Sequence, residues 1–196
     1  MFQSFEIPNY LSDAQLLYIE HKKQEAKTYI SNTGKKLNLF QIDLPEDWFS
    51  DFGTVIKSEV YELQEPYRIH NDARNEVTSK YTCIVPLDDN PQGGVTVFNQ
   101  WSTHFTYSLD PYYSSNYNKH LPLEERHIIN EWDPSVKLPD NIEFEHIRDS
   151  DKIGFTVAHQ FEFEFNKLVV FPSVNFHCSN YVPGFTSKSS LVAFTV

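Results

Sequence analysis

The sequence predicts a mainly β fold of antiparallel strands, and three observations support that reading. Short runs rich in Val, Ile, Phe, Tyr and Thr recur from residue 55 to the end of the chain. Clusters of Gly, Pro, Asn and Asp separate them, as turns require. No strand–helix alternation occurs of the kind that builds a parallel sheet. Many short strands with such punctuation close into a sandwich or a barrel.

Taken in order, the chain opens with a helix. Ser12 and Gln15 form a capping-box pattern, and Leu16, Ile19 and Lys23 follow at helical spacing to about Tyr29, with Gly34 closing the segment. The stretch LPEDWFSDF at 44–52 reads as a short helix or turn, so residues 1–54 are expected to form an N-terminal helical layer. Strands are expected at Val55–Leu63, Tyr67–His70, Lys80–Leu87, Val95–Asn99, Lys152–Ala158, Gln160–Phe165, Leu168–Phe171, Phe176–Tyr181 and Ser187–Val196. Turn signals fall at Glu65-Pro66, in 88–94, at Asn166 and Pro172, and at Pro183-Gly184.

An insertion, about 100–151, breaks the strand rhythm. It holds Trp101, Phe105, Tyr107, Tyr112, Tyr113, Tyr117 and Trp132, with a helical piece near LPLEERHIINEW. A loop of that length in a compact domain is usually functional or disordered, and the aromatic density disfavours disorder. It reads equally as a substrate lid or as a satellite core. No repeat or low-complexity tract divides the chain, so 1–196 is expected to be one domain.

Composition narrows the function. Aromatic residues make up 15% of 196 residues, enough for a sizeable core. A net charge of −11 argues against a nucleic-acid partner, because phosphate recognition needs a Lys/Arg surplus. No apolar run is long enough to span a bilayer. The two cysteines, Cys83 and Cys178, are too few for a disulfide scaffold, which points to reduced thiols and a cytoplasmic protein.

The residues that suggest chemistry begin at YRIHNDAR, residues 67–74. On an extended strand His70 and Asp72 face the same way. A remote His177 follows a later turn, and together these three make the two-histidine, one-carboxylate set that holds non-haem Fe(II) with open positions. A 2-oxo acid can chelate two of those positions and O2 the third. The far carboxylate of 2-oxoglutarate then needs a buried cation. Lys188 opens the last strand eleven residues beyond His177, with Ser190 on the same strand face as a hydroxyl partner. Cys178 points opposite to His177 and reads as core. Glu124-x-x-His127 and Glu143-x-x-His146 match the ligand spacing of a di-iron bundle, but that site needs four packed helices, and IEFEHI at 142–147 alternates like a strand.

With these residues in place, the sequence resembles the Fe(II)/2-oxoglutarate-dependent dioxygenases, and YELQEPYRIHND at 61–72 is similar to their prolyl 4-hydroxylase-like branch. KYTCIVPLDDNPQGGVTVF at 80–98 looks like the family's next two strands. The resemblance covers about 55–98 and 152–196. It implies a double-stranded β-helix, a jelly-roll, cupin-like barrel with flanking helices and a long insertion. It also implies Fe(II), 2-oxoglutarate and O2 as cofactors, and hydroxylation of a C–H bond in a peptidyl proline, an amino acid or another small substrate. By the same matching His70, Asp72 and His177 hold the metal, Lys188, Ser190 and Tyr61 hold 2-oxoglutarate, and Tyr67 borders the substrate; Trp101, from the insertion, is expected to border it too.

The sequence departs from the pattern at three places. A lysine anchor offers one ammonium in place of a bidentate guanidinium. Pro86 stands where some related hydroxylases carry tyrosine. The insertion lengthens the gap between Asp72 and His177 to 104 residues. The alternative is a catalytically inactive cupin-like barrel that binds a metal or ligand. A nucleic-acid demethylase is opposed by the acidic charge, and a cupin without 2-oxoglutarate gives Lys188 no reason to face inward.

Overall fold

The computed structural model describes residues 3–25, 28–30, 37–73, 79–89, 93–103 and 123–196. Its elements are β1 (Phe5–Ile7), α1 (Asp13–Glu25), β2 (Thr28–Ile30), β3 (Leu37–Gln41), β4 (Val55–Leu63), β5 (Tyr81–Pro86), β6 (Gly94–Trp101), β7 (Val157–Glu162), β8 (Leu168–Pro172), β9 (Asn175–Asn180) and β10 (Lys188–Thr195). Two antiparallel sheets face each other. One has seven strands in the order β1-β8-β5-β10-β4-β3-β2, and the other three in the order β7-β6-β9. The molecule is mainly β, as the strand pattern predicts, and takes the jelly-roll form that the resemblance implies.

The start of α1 uses its capping box. The Ser12 amide donates to Gln15 Oε1 at 2.9 Å, and the Gln15 amide donates back to Ser12 Oγ at 3.3 Å. The helix stops at Glu25 rather than Tyr29, because Thr28, Tyr29 and Ile30 join the large sheet beside β3. β-branched and aromatic residues suit that pleated setting better than a helix end. The expected helical layer of 1–54 therefore also supplies three strands. Gly34 lies outside the described residues.

Three clusters hold the layers together. Ile19 and Leu16 of α1 pack on one face of the large sheet against Val60, Cys83, Val85, Val170 and Leu191. The opposite face turns Ile84, Val169 and Phe171 into the barrel, where they meet Val95, Val97, Phe161 and Phe163 of the small sheet. The outer face of the small sheet, with Phe98, Phe176 and Cys178, is covered by Ile129, Leu138, Phe144, Ile147 and Phe155.

That third cluster shows what the described part of the insertion does. Residues 123–151 form a satellite core behind the small sheet. Trp132 donates from Nε1 to the Ile153 carbonyl at 3.1 Å. Arg126 and Asp151, each 1% exposed, pair at 2.8 Å beneath the same segment. Phe105, Tyr107, Tyr112, Tyr113 and Tyr117 lie outside the described residues.

Two expected strands take another form. In Lys152–Ala158 the strand begins only at Val157, because Gly154 turns the chain at φ 87° with Trp132 against it. In IEFEHI, residues 142–144 form a 3-10 turn, and Phe144 and Ile147 are buried at a spacing of three while Ile142 is exposed. A short apolar run fits either period, and here the three-residue one prevails.

Candidate active site

Residues 67–72 run antiparallel to β9 without forming the regular strand expected there. The Ser179 amide donates to the Tyr67 carbonyl at 3.0 Å, while His70 and His177 exchange both backbone bonds at 3.0 and 2.7 Å. Three residues of advance on one side therefore match two on the other, which is a bulge. In an unbroken strand Tyr67 and His70 would face opposite ways. The bulge brings their rings to 5.2 Å and leaves Ile69 in the outer core. The Asp72 amide donates to the Ser173 carbonyl at 2.9 Å, and Asn71 Nδ2 donates to the Ser102 carbonyl at 3.0 Å, so the backbone on either side of the turn is pinned.

The structure brings His70, Asp72 and His177 together, with one ligand-type atom from each within 4.8 Å of the others. His177 Nε2 lies 3.3 Å from Asp72 Oδ2, and His70 Nε2 lies 3.9 Å from Asp72 Oδ1. Each imidazole is oriented by a main-chain oxygen behind it. His70 Nδ1 is 2.7 Å from the Arg68 carbonyl and His177 Nδ1 is 3.2 Å from the Asn175 carbonyl. A carbonyl only accepts, so with Nδ1 as the donor each imidazole turns Nε2 toward Asp72, the atom through which it would ligate a metal.

Burial alone would raise the pKa of the Asp72 carboxyl. The facing His177, His70 and the Thr82 hydroxyl outweigh that effect and hold it well below the usual carboxylate range. Thr82 Oγ1 donates to Asp72 Oδ2 at 2.9 Å and lies 2.9 Å from Ser173 Oγ. Phe171 packs its ring 4.6 Å from that of His177 and keeps this side dry. Two imidazoles and one ionised carboxylate, buried on one flank and converging on one point, fit a 2-His-1-carboxylate metal site.

Deeper in the barrel, Lys188 is 5% exposed at the start of β10. Its Nζ donates to Ser179 Oγ at 3.1 Å and sits 4.6 Å above the Phe163 ring. Among the described residues no carboxylate forms an ion pair with it. Burial pushes its pKa down to about 8, against the pull of Cys178 and Asp88. Two residues on, Ser190 Oγ is buried and has no hydrogen-bond partner. An ammonium without a counter-ion beside an unsatisfied hydroxyl fits the carboxylate end of a 2-oxo diacid.

The remaining expected residues fall as follows. Tyr61 lies directly across the ladder from Ser190, but its hydroxyl donates to Glu59 Oε2 at 2.8 Å. Tyr67 lies between His70 and Tyr61, tilted against the imidazole and edge-on to the Tyr61 ring at 6.4 Å. Trp101 ends β6 beside Asn175, and its carbonyl accepts the Asn130 amide at 3.0 Å. Cys178 faces away from His177 into the outer core. Ser179 and Thr82 escaped the sequence reading. Ser179 carried a signal, since it follows His177 by two residues and so shares its face. Thr82 carried none, because only the tertiary fold brings it to Asp72.

No protein-family model matches the sequence, and no curated protein matches it either. Solved structures do match it in fold. The protein is similar to an oxidoreductase of the 2OG-Fe(II) oxygenase family from Burkholderia pseudomallei, at 12% identity and a TM-score of 0.54, covering 97% of this chain and 82% of that one. It is similar to a prolyl-4-hydroxylase from Pseudomonas putida, at 14% identity and a TM-score of 0.50, covering 97% and 90%. It is also similar to a prolyl hydroxylase from Trichoplax adhaerens, solved with a hypoxia inducible factor peptide fragment, at 11% identity and a TM-score of 0.51, covering 98% and 83%. The protein thus has the double-stranded β-helix fold seen in 2OG-Fe(II) oxygenases, prolyl hydroxylases among them.

Proposed function

We propose that this protein is an Fe(II)- and 2-oxoglutarate-dependent dioxygenase that hydroxylates a C–H bond. The observation that supports this most directly is the convergence of His70, Asp72 and His177 within 4.8 Å. Lys188 and Ser190 add to it, standing deeper in the barrel as a buried cation with no ion pair among the described residues and an unsatisfied hydroxyl. When bound, the iron with 2-oxoglutarate and O2 supplies the oxidant for an unactivated C–H bond.

The protein's own residues do the rest. His70 and His177 present lone pairs fixed by the carbonyls behind them, and Thr82 orients the Asp72 carboxylate. Lys188 and Ser190 hold the distal carboxylate of the co-substrate, and Ser179 ties the ammonium to β9. Tyr61 completes the co-substrate pocket from β4, while Tyr67 borders the substrate beside His70 and Trp101 lies at the pocket's outer end. Phe171 and Phe163 exclude water from the inner wall, so the oxidant meets bound substrate first.

The substrate is a small molecule or a peptide rather than nucleic acid, in keeping with the net charge of −11. Among the described residues no helix is long and apolar enough to cross a membrane. Cys83 and Cys178, both buried and unpaired, suit a reducing cytoplasm.

Anaerobic addition of Fe(II) and 2-oxoglutarate tests the reading. A weak visible charge-transfer band is expected in the wild type, and His177→Ala is expected to lose both the band and the bound iron. Iron-loaded wild type with no band, or stoichiometric iron in His177→Ala, would overturn it.

A further inference from the structure

We propose that Lys57 and Glu59, on the inner face of β4 and braced by the Tyr61 hydroxyl, form the substrate-recognition wall and receive the paired ammonium and carboxylate of a free amino acid. The inference rests on the triad being the reaction centre. It adds the class of molecule that centre acts upon.

Alternation along β4 sets the direction of these side chains. Val60 belongs to the core under α1, so 57, 59 and 61 face the barrel interior. Ladder register then gives their depth. Lys57 and Thr82 both pair with Phe194, one from each side, and Thr82 touches Asp72. Lys57 therefore stands in the same row as the triad's carboxylate partner, two strand spacings or about 9–10 Å across the sheet. Glu59 lies one row deeper, opposite Val192, and Tyr61 one row further, opposite Ser190.

The charges on this wall are unusual for their surroundings. Phe194, Val192, Ile84 and Phe171 make the neighbouring inner surface apolar. Yet Glu59 is 7% exposed, with Lys57 Nζ on Oε1 at 2.5 Å and the Tyr61 hydroxyl on Oε2 at 2.8 Å. For stability alone, two apolar side chains would serve such a position as well as a buried ion pair or better. What the pair provides is a fixed dipole on the inner face of the sheet, in the row of Thr82 and the row next to it. A continuous line leads from it to the metal ligands, through the Tyr61–Tyr67 contact at 6.4 Å and the Tyr67–His70 contact at 5.2 Å.

The chemistry selects the ligand. Each Glu59 oxygen keeps a second lone pair, and Lys57 keeps two further N–H groups. An amino acid laid antiparallel to the pair places its ammonium on Glu59 and its carboxylate on Lys57 without breaking the existing bond. The C–H groups of the ligand then lie on the sheet face that carries Thr82, beside the triad's carboxylate. A prolyl residue within a peptide has neither charge at its backbone and gains nothing from this wall.

Saturation-transfer NMR on the metal-free protein reads the wall without iron or turnover. Probes are the free proteinogenic amino acids and 4-hydroxyproline, each against its N-acetyl, C-amide derivative. At least one free amino acid is expected to bind and its capped form to bind at least tenfold more weakly. Lys57→Met and Glu59→Gln are each expected to weaken the free form at least tenfold. If Glu59→Gln does not fold by circular dichroism, Lys57→Met decides. No binding by any free amino acid, equal binding of free and capped forms, or wild-type affinity in the folded variants overturns the proposal. Failure of the charge-transfer band, by contrast, overturns the dioxygenase reading and leaves the NMR result standing as a binding site.

Discussion

His70 and His177 face each other across an exchanged pair of backbone hydrogen bonds, and their rings stand 4.2 Å apart. Two ligands far apart in sequence are thus positioned by one local pairing, and Asp72 follows two residues later on the same extended segment. The third ligand depends most on its neighbours, because a carboxylate can rotate where a carbonyl-anchored imidazole cannot.

Thr82→Val should therefore loosen the metal without removing a ligand. The hydroxyl on Asp72 Oδ2 is lost, and orienting partners of this kind are worth about 10–100-fold in metal affinity. Fe(II) or a surrogate divalent metal titrated against both proteins measures the change. Equal affinities would remove Thr82 from the site.

Lys188 makes co-substrate binding pH-dependent. Burial lowers its pKa from 10.5 to about 8, so the ammonium that meets the 2-oxoglutarate carboxylate is lost as pH rises through about 8, and affinity falls there. Stability without ligand runs the other way. Between about 8 and 10.5 the unfolded protein holds the proton that the folded protein has released, so this group adds stability as pH rises through that window. Lys188→Arg should flatten the affinity profile because the guanidinium stays charged. Lys188→Ala should weaken 2-oxoglutarate by about 10–100-fold, the worth of a hydrogen bond to a charged group, while sparing the metal. Calorimetric titration on both sides of pH 8 checks all three.

Ser190→Ala separates ligand binding from folding. The Oγ is buried without a partner, so deleting it relieves a desolvation cost in the ligand-free protein. Its thermal midpoint should hold or rise, while 2-oxoglutarate affinity falls about 5–10-fold, as for one lost hydrogen bond. A lower midpoint with unchanged affinity would assign Ser190 to the fold.

Gly154→Ala tests the satellite core. A Cβ at that position would meet Trp132 Nε1 at 1.6 Å, and the backbone has φ 87°. Overpacking and a left-handed alanine together should cost about 2–4 kcal/mol in denaturant unfolding. Wild-type stability would mean that Trp132 moves aside freely.

Much of this was legible because the barrel depends on alternation. Val55–Leu63 was expected and observed with the same ends, since it is long and has apolar residues turned to both sheet faces. His70 and Asp72 were readable as a same-face pair, and His177 and Lys188 as companions, because an extended backbone fixes side-chain direction. The bulge at 67–70 was not readable. Nothing in Arg68 or Ile69 announces an extra residue, yet it alone sets Tyr67 beside His70. The strands β1, β2 and β3 were missed for another reason: β1 and β2 are short edge pieces and β3 is a short run held between β2 and β4, so neighbours decide the conformation of each. For 142–147 the apolar pattern suited two periods, and packing behind the small sheet chose between them.

The bridge between Trp101 and Asn130 has a practical use. Because the backbone leaves β6 and is tied back to it at one place, the stretch from 102 to 129 has its two ends already clamped side by side. An engineer altering this part of the chain would keep Ser102, whose carbonyl accepts from Asn71, and Arg126 and Ile129, which anchor the satellite core. Between Pro66 and Asp72 the constraint is tighter still, because adding or deleting one residue would turn Tyr67 away from His70.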